Sequence, residues 1–554
     1  CTPRRKMGVR GLHSFVEGKL PAAQHTIPLA AVRALSGGDC IVVDGMALIR
    51  RLYSAELDWV GGGQFQELFI KVQEFVHAFK LCGLQLVCFF DGGVDEAKLA
   101  EWLSRRRADL QKCEKVVRAL DSKQPPPKSW WMPPLYISKW LGAAFAEAGC
   151  TVFYTAGEAD REMARHCRDA RCAAVLGKDS DFFVLPVPLY LVLDGLNLCG
   201  AQPTVAAYPR SAVLSALALT EGELPLFASL AGNDFVEIRS VQPLHTALFA
   251  STGRPPHSSV LLEALTAEVR RACAVAEWAS PLPMTPLLWE AIDFRALLTA
   301  ETRAQIEASL DQYRLDDAAG SIGARGGALL SEEMLRRFRH AQLDSAIFTA
   351  ATKQAIWRGP GIELPGGPSA VVCCRPIRAQ VYACCVPQAR QPTIVREYLL
   401  YMSKQNLDEP DEVVVPTQQL SCEQIWSFPA EQRCSKFLHM LARAARDDTL
   451  LPALSSGACI ALGPLALVAF ALRYLHRHQV LSSQLASVLL CQGLVMAELS
   501  TRKERLPIDV RAAGRAPLPT AAAAHAAALF LRCTADLLLL NSACGGAGGR
   551  GGAL

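Results

Sequence analysis

The sequence predicts an α/β domain followed by a mostly α-helical region. Over roughly the first 240 residues, short apolar runs such as CIVVDG, LVCFFDGG and AAVLGKDSD alternate with longer amphipathic segments such as FQELFIKVQEFVHAF and PLYISKWLGAAFAEAG. The short runs lack polar alternation, which is typical of parallel strands buried on both faces of a sheet. Their alternation with helices is the pattern of βαβ units, so this part of the chain is expected to form a parallel sheet.

Beyond that point the alternation of strands and helices ends, and Leu- and Ala-rich segments predict helices. DFRALLTAETRAQIEASLDQYRL, TIVREYLLYMSKQ and CSKFLHMLARAARDD are the clearest candidates. The Gly- and Pro-rich stretch RGPGIELPGGPSAVV is expected to divide this region. LPALSSGACIALGPLALVAFALRYLHRH contains an uncharged stretch long enough for a membrane span, but Pro and Gly interrupt it, which favours a buried helix after a turn.

Acidic residues recur where strands are expected to end. In open parallel sheets, ligands bind beyond the carboxyl ends of the strands, where such side chains gather despite their separation in sequence. Carboxylates at close quarters raise one another's pKa unless divalent cations neutralise them, so the pattern predicts a metal site. The candidate metal ligands are Asp44, Asp91, Glu158, Asp160, Asp179, Asp181 and Asp234.

Taken singly, several of these acids have an ordinary structural explanation. An Asp before Gly at the end of a strand, as in VVDG and FFDGG, is often a turn or cap residue. Glu158 and Asp160 fall at a predicted helix N-terminus, where acidic groups complement the helix dipole. Asp179 and Asp181 favour a metal more strongly, because alternate residues of an extended segment point to one side and two like charges there need a counter-charge or a cation.

The ordered set of motifs resembles the XPG and flap-endonuclease nucleases, which have a PIN-like core. MGVRGLHSFVE is similar to the family's N-terminal signature, IVVDGMAL and CFFDGG to its first two metal-ligand strands, and GEADREMA, GKDSDFFVL and LAGNDFV to its later acidic motifs. Within that superfamily the chain resembles the Asteroid proteins most. PPPKSWWMPP is also similar to the related constitutive coactivators of PPAR-gamma, which resemble relatives that have lost much of the acidic set. The resemblance covers roughly residues 7–240 and implies a PIN-like α/β nuclease core.

This resemblance and the changes in composition divide the chain into six parts. In order, they are an XPG N-terminal-like part of the PIN-like domain at 7–105, a basic helix and Pro/Trp-rich connection at 106–135, an XPG internal-like part at 136–240, a helical region at 241–359, a helical C-terminal domain at 360–535 and a flexible Gly-rich tail at 536–554.

The resemblance implies phosphodiester hydrolysis assisted by two Mg²⁺ ions, for which Mn²⁺ can substitute. It assigns the first four of the candidate acids to one ion and the last three to the other. Two ions about 4 Å apart can activate an attacking water and stabilise the departing oxygen of an in-line displacement. Because Mg²⁺ keeps several waters, some of the carboxylates are expected to act through water.

A predicted basic helix follows the second acidic motif, in KLAEWLSRRRADLQKCEKVVRAL. Lys98, Arg105 and Lys112 recur every seven residues and therefore share one face. Lys98 and Arg105 match in spacing the family's basic pair at the base of its arch helix, which contacts the scissile phosphate. A guanidinium there can clamp a phosphate and offset charge in the transition state. Arg106 and Lys112 are predicted to contact nucleic acid, and a solvated basic face is the alternative.

Departures from the family pattern concern substrate recognition. The family's glycine-containing helix-turn-helix unit, which grips duplex DNA, is not matched in FVEIRSVQPLHTALFASTGRPPH, so 5′-flap selection does not follow from the resemblance. Arg50 stands where flap endonucleases carry an aromatic base-stacking residue. Trp130 and Trp131 are candidates for stacking on single-stranded bases, with packing anchors as the alternative.

Composition sets broad limits on setting and partners. With 57 Lys and Arg against 53 Asp and Glu, net charge alone does not identify a nucleic-acid binder. The 20 Cys have no regular spacing, which indicates reduced thiols in the nucleus or cytoplasm. The tail carries no sliding-clamp peptide of the Gln-x-x-Leu-x-x-Phe-Phe kind, no membrane association is expected, and protein partners stay open.

Two functions follow from these observations. The favoured one is a Mg²⁺-dependent, structure-selective endonuclease acting on branched or flap DNA, with RNA as an alternative substrate. The other is a catalytically silent PIN-like scaffold that binds RNA or proteins, in the manner of a coactivator or signalling adaptor. The complete acidic set favours the nuclease, because drift after loss of catalysis would be expected to remove some of these mutually repelling acids.

Overall fold

The N-terminal half of the chain is built around a seven-stranded sheet. The computed structural model describes residues 8–94, 98–200, 202–249, 258–278, 284–293, 296–315, 330–387, 392–417, 420–449, 464–501 and 518–546. Within this part of the chain, the strands of the sheet are β1 (His25–Pro28), β2 (Cys40–Asp44), β3 (Gln85–Asp91), β4 (Thr151–Thr155), β5 (Ala174–Gly177), β6 (Leu189–Asn197) and β7 (Thr204–Pro209).

The strand order is β1-β7-β6-β5-β2-β3-β4, with β6, β5, β2, β3 and β4 mutually parallel. Only β7 and β1 run antiparallel to their neighbours. In the register of the parallel strands, Asp44 lies opposite Phe89 and Asp91 lies opposite Thr155. The carboxyl ends of β2, β3, β4 and β5 therefore meet at one edge of the sheet. The predicted α/β class with a parallel sheet is confirmed.

The central strands are buried on both faces, which explains their continuous apolar sequences. Val42, Phe89 and Val175 point to one hydrophobic core, whereas Ile41 and Val43 point to the other. Successive residues of a strand face opposite sides, so a strand buried on both sides has no position left for a polar residue. The polar residues come where the strands end.

Helices cover both faces of the sheet and extend beyond it. They are α1 (Leu12–Lys19), α2 (Val32–Ser36), α3 (Gly45–Leu52), α4 (Phe65–Leu81), α5 (Leu99–Asp121), α6 (Ile137–Glu147), α7 (Ala159–Asp169), α8 (Arg210–Leu217), α9 (Glu223–Ala231), α10 (Ile238–Leu248), α11 (Ser258–Val275), α12 (Pro286–Ile292) and α13 (Ala300–Tyr313). One hydrophobic core runs from Val9 through the sheet to Leu315, so α11, α12 and α13 share a core with the strands.

The C-terminal half is mostly helical, as predicted, but it also contains a small sheet. Its helices are α14 (Glu332–Arg339), α15 (Ser345–Lys353), α16 (Ala370–Cys373), α17 (Arg375–Cys385), α18 (Cys422–Trp426), α19 (Ala430–Ala445), α20 (Pro464–Arg477), α21 (Ser483–Thr501) and α22 (Ala521–Ala543). Strands β8 (Ala355–Arg358), β9 (Ile394–Leu399) and β10 (Asp411–Val414) pair in the order β10-β9-β8.

A buried ion network holds this half together. The Arg378 guanidinium, which has no solvent-exposed surface, donates to both carboxylate oxygens of Glu397 and to Asp536, each at 2.7 Å. Arg358 donates to the other oxygen of Asp536 at 2.8 Å, and the Tyr382 hydroxyl donates to Glu397 at 2.6 Å. The network therefore ties β8, α17, β9 and α22 to one another.

Two sequence-based expectations for the C-terminal half were wrong. TIVREYLLYMSKQ, predicted as a helix, forms strand β9, in which Val395, Glu397 and Leu399 are buried at every second position. The buried Glu397 hides the two-residue period, because a charged residue occupies a core position. Helix α22 continues to Ala543, so the tail starts later than the predicted residue 536.

The question of a membrane span arises for one helix among the described residues. Helix α22 is long and apolar enough to cross a membrane, and 67% of its most apolar stretch is buried within the fold. This burial is typical of the central helix of a helical domain. Of the uncharged stretch singled out in the sequence, residues 451–463 lie outside the described part of the chain, and α20 follows directly after them.

Candidate metal centre

Three aspartates form a tight cluster at the carboxyl edge of the sheet. Carboxylate oxygens of Asp160, Asp179 and Asp181 all lie within 4.8 Å of one another. Asp179 and Asp181 are buried, and Asp160 is half-buried. In the described part of the chain, no other group of three or more acidic, His or Cys side chains approaches this closely.

Local structure explains how these carboxylates are presented. Asp179 follows β5, and its Oδ1 accepts the backbone N–H of Asp181 at 3.1 Å, which starts the short 3₁₀ turn Ser180–Phe183. Asp160 lies in the first turn of α7, directly after β4 and its loop. Asp44 ends β2 and caps α3, since its Oδ1 accepts the backbone N–H of Ala47 at 3.0 Å. Asp44 thus combines the cap role with a place beside the cluster.

Burial and mutual repulsion raise the pKa values of these acids. Burial, together with the charges of Asp91 and Asp179, raises the pKa of Asp44 to about 7. Burial also raises the pKa of Asp179 to about 6 and that of Asp181 to about 8, with Asp234 adding to both. The pKa of Asp160 rises well above its ordinary value, because burial is reinforced by the surrounding aspartates.

The remaining predicted ligands lie at the rim of the same cluster. Asp91 and Asp234 are exposed, yet the protein around them displaces enough water to raise the pKa of each. The negative charge of Glu158 acts on both. The fold therefore brings all seven predicted acids into electrostatic contact, and three of them into a common ligand-sized cluster. Their assignment to individual metal ions stays a prediction.

Lys98 enters the acidic cluster directly. Its Nζ lies 2.7 Å from Glu158 Oε2, in a pair that keeps 38% of the lysine side chain exposed. Burial opposes the ammonium charge, but Glu158, Asp234 and Asp160 outweigh burial and raise the lysine pKa. Lys98 is the residue before the first turn of α5, so the basic helix begins inside the site. One ammonium group cannot neutralise seven carboxylates.

Folding stability of the metal-free protein is expected to fall as the pH rises from about 4 to about 8. Over this range the folded aspartates retain protons that an unfolded aspartate, with a pKa of about 3.9, has lost. The folded state then binds more protons than the unfolded state, so the free energy of unfolding decreases with rising pH. Thermal unfolding in EDTA across this range measures the effect.

The variant Asp160→Asn is the control for this pH dependence. It removes one buried charge without changing shape, so its metal-free stability should fall less steeply with pH than that of the wild type. Mg²⁺ should stabilise the wild type most at the alkaline end, where the carboxylates are ionised. Identical pH profiles for the two proteins in EDTA would contradict the assignment of repulsion to this cluster.

Gly8 contributes to the site in a way that sequence analysis did not anticipate. Its φ is +79°, and a β-carbon added there would lie 2.1 Å from Asp179 Oδ1 and 2.5 Å from Ser180 Oγ. The backbone N–H of Gly8 also donates to Asp234. Only glycine adopts this backbone conformation at little cost and leaves room for the carboxylate. MGVRG was recognised as an N-terminal signature, and this contact shows what its first glycine does.

Tyr190 and Tyr313 are two further neighbours that the sequence did not reveal. Tyr190 lies on strand β6. Its buried hydroxyl has no hydrogen-bond partner among the described residues. Burial and the charges of Asp179 and Asp160 raise the Tyr190 pKa. Tyr313, from α13, contacts Asp181. Neither lies in a motif, and the amphipathic pattern of the α13 segment is the one sequence signal that bears on Tyr313.

The basic residues predicted to contact nucleic acid already have partners within the chain. Arg105 pairs with Glu101, one turn away on α5. Arg106 lies 3.1 Å and Lys112 3.4 Å from Asp109. These pairs are solvent-accessible, so a phosphate can compete for the cations. Their role in nucleic-acid binding stays a prediction.

The candidate stacking residues pack together. The Arg50 guanidinium lies 5.2 Å from the ring centroid of Trp131, a cation–π contact. Trp130 and Trp131 are half-buried against the hydrophobic core beneath α4 and α6. Their placement fits the packing-anchor alternative, and their role as stacking platforms stays a prediction.

The donor set of the cluster fits a hard divalent cation. Mg²⁺ and Mn²⁺ prefer carboxylate oxygens and retained water. Here, carboxylates from separate elements converge within ligand distance although they repel one another. The Tyr190 hydroxyl, which has no hydrogen-bond partner among the described residues, is a buried polar group near the same aspartates that a bound water could satisfy. Sequence and geometry therefore agree on the kind of site.

Known proteins similar to this chain include the coactivators that its sequence motifs resemble. The chain is 30% identical over 240 residues to the constitutive coactivator of peroxisome proliferator-activated receptor gamma from Bos taurus, which covers 42% of this chain and 33% of that protein. It is 32% identical over 238 residues to the Mus musculus protein, covering 41% of this chain and 30% of that protein. The chain is therefore similar to these coactivators over about 240 of its residues. The predicted likeness to the Asteroid group and its coactivator relatives is confirmed, although no protein-family model matches the chain.

The chain spans about a third of the length of the curated proteins it matches. Solved structures similar to it include the catalytic core of Rad2, with 16% identity and a TM-score of 0.27 over 45% of this chain and 67% of that chain. Another is flap endonuclease-1 from Methanococcus jannaschii, with 12% identity and a TM-score of 0.30 over 55% and 98%. Likenesses this distant do not transfer an activity to the chain.

Proposed function

We propose that the chain is a Mg²⁺-dependent, structure-selective endonuclease that hydrolyses phosphodiester bonds in branched or flap DNA in the nucleus or cytoplasm. The observation that carries the proposal is the convergence of Asp160, Asp179 and Asp181 within 4.8 Å, with the other four acids around them. A fold has no structural reason to gather so much unneutralised charge, since repulsion and burial both disfavour it.

The acids at the edge of the sheet would bind the metal ions, and the basic residues Lys98 and Arg105 would bind phosphate. Asp44, Asp91, Glu158 and Asp160 would hold one ion, and Asp179, Asp181 and Asp234 the other. When bound, such ions activate an attacking water and stabilise the departing oxygen. Lys98, beside Glu158, is positioned to offset phosphate charge at the same edge. Arg105 lies two turns further along α5, where it can bind the adjoining phosphate.

Cleavage of labelled 5′-flap, 3′-flap and bubble DNA substrates by the purified chain tests the proposal. Product is expected with Mg²⁺ or Mn²⁺ and is expected to disappear with EDTA. A single-stranded RNA substrate in parallel tests the preference for DNA. Cleavage that persists in EDTA would contradict a metal-dependent mechanism, and the pattern of flap substrates cut assigns the polarity.

A catalytically silent scaffold is the alternative function. It is favoured by the names of the relatives, which are coactivators rather than nucleases. In that case Lys98 would serve as a permanent counter-charge for Glu158, and no labelled substrate would be cut. The cleavage assay separates the two functions, provided that Mn²⁺ binding is measured on the same preparation.

Lys98→Ala is expected to slow cleavage while leaving metal affinity nearly intact. The substitution removes a cation that can stabilise charge on the phosphate in the transition state, which is typically worth about 10²-fold in turnover. Single-turnover cleavage and Mn²⁺ titration of the same preparation measure the two quantities. Lys115→Ala, an exposed lysine further along α5, is the matched control and should change neither. An equal loss of metal binding in Lys98→Ala would show that the lysine supports the ligands instead.

A further inference from the structure

We propose that Tyr313 is a positioning residue of the metal centre, which fixes the orientation of the Asp181 carboxylate from a helix outside the acidic motifs. The inference rests on the proposed metal centre. The Tyr313 hydroxyl donates to Asp181 Oδ1 at 2.9 Å, and the tyrosine is 4% exposed. Tyr313 is the last residue of α13, in the helical region that follows the predicted nuclease core.

Asn233 determines the direction of this hydrogen bond. Its Oδ1 accepts the backbone N–H groups of Phe235 and Val236, both at 2.9 Å, which fixes which side of the amide carries the oxygen. Its Nδ2 therefore points to the Tyr313 hydroxyl, at 3.1 Å. An amide nitrogen can only donate, so the tyrosine oxygen accepts from Asn233 and its single proton is left for Asp181.

Helix α13 is anchored so that the tyrosine cannot easily turn away. The second Nδ2 hydrogen of Asn233 is donated to Ser309 Oγ at 2.8 Å. Ser309 lies one turn before Tyr313 on the same helix face, and its Oγ lies 2.8 Å from Ser229 Oγ on α9. Ser229 and Ser309 have no exposed surface. The residue next to the predicted ligand Asp234 thus holds both α13 and the tyrosine.

The hydrogen bond from Tyr313 orients the Asp181 carboxylate within the proposed metal centre. A carboxylate has two oxygens with about four acceptor sites, so one hydrogen bond from Tyr313 leaves sites on Asp181 for a cation. Without it, the Asp181 side chain could rotate away from Asp160 and Asp179, because their charges repel it. Partners that orient metal ligands typically contribute about 10- to 100-fold to metal affinity.

Mn²⁺ titration of the full chain, followed by electron paramagnetic resonance, tests this role. Tyr313→Phe keeps the ring and removes only the hydroxyl, and we expect it to weaken Mn²⁺ binding by about tenfold or more. Tyr208→Phe is the matched control, because Tyr208 is also buried and its hydroxyl has no partner among the described residues. Tyr208→Phe should therefore bind Mn²⁺ like the wild type.

The outcomes separate this inference from the proposed function. Wild-type Mn²⁺ affinity in Tyr313→Phe, or an equal loss in Tyr313→Phe and Tyr208→Phe, would overturn the positioning role. Absence of Mn²⁺ binding by the wild type would overturn it together with the metal centre. Mn²⁺ binding that is weakened only by Tyr313→Phe, in a protein that cuts none of the DNA substrates, would support the positioning role and refute the nuclease.

Discussion

Asp179→Ala is expected to abolish Mg²⁺-dependent cleavage. Asp179 belongs to the cluster with Asp160 and Asp181, and its charge acts on Asp44 as well. Removing it takes away a candidate metal ligand and the acceptor that starts the 3₁₀ turn carrying Asp181. Loss of one preorganised electrostatic group typically costs about 10²- to 10³-fold in turnover, and loss of a metal ligand should cost at least as much. Gel-based cleavage of labelled flap DNA under single-turnover conditions measures the change.

The matched control for this substitution is Asp169→Ala, at the exposed end of α7. It removes an aspartate that pairs with Arg168 on the surface and should leave cleavage unchanged. Folding of both variants is checked by thermal unfolding in EDTA, where Asp179→Ala relieves repulsion within the cluster. Cleavage by Asp179→Ala at the wild-type rate would remove the acidic cluster from the mechanism.

Arg378→Met is expected to destabilise the C-terminal half by about 3–5 kcal/mol, the usual cost of breaking a buried ion pair by removing one partner. The methionine fills much of the volume, but the two buried carboxylates lose the guanidinium that pairs with both: Glu397 keeps only Arg375 and Tyr382 as partners, and Asp536 keeps only Arg358. Urea unfolding followed by circular dichroism measures the loss, which should appear as a lower midpoint. The effect should be larger than that of any single surface pair.

Arg336→Met provides the comparison. Arg336 pairs with Glu333 on the surface of α14, with about half of its side chain exposed, so its removal should leave the unfolding midpoint unchanged. If Arg378→Met lowered stability no more than Arg336→Met does, the buried network would not be what joins β8, α17, β9 and α22.

Much of the α/β architecture could be predicted because its determinants are local. Apolar runs without polar alternation, as in CIVVD and QLVCFFD, identify strands with both faces covered, and these became β2 and β3. The segment LPLFASLAGND is predicted to be helical, and its first eight residues lie in α9. The small C-terminal sheet could not be predicted, because strand β9 buries the charged Glu397. Its partner Arg378 lies on helix α17, at a distance in sequence that no local pattern covers. In a sequence, a charged residue indicates an exposed position, and burial of Glu397 could be inferred only from knowledge of its counter-ion.

The acidic part of the site could likewise be predicted, since parallel strands deliver their carboxyl ends to one edge whatever their sequence separation. What could not be predicted is the set of groups that hold the acids in place. Gly8 matters through the space it leaves beside Asp179, which no motif encodes. Tyr313 reaches Asp181 across 132 positions of sequence, through the packing of α13 on the core. Contacts of this kind depend on tertiary structure alone.

The hydrophobic core that continues from Val9 to Leu315 has a practical consequence for dissecting the chain. A truncated fragment ending at residue 240 would retain every acidic motif, but it would strip α11, α12 and α13 from one side of the sheet and expose the apolar faces they cover. Such a fragment would be prone to aggregation, and its inactivity would say nothing about the intact chain. Limited proteolysis should accordingly leave α11, α12 and α13 associated with the sheet.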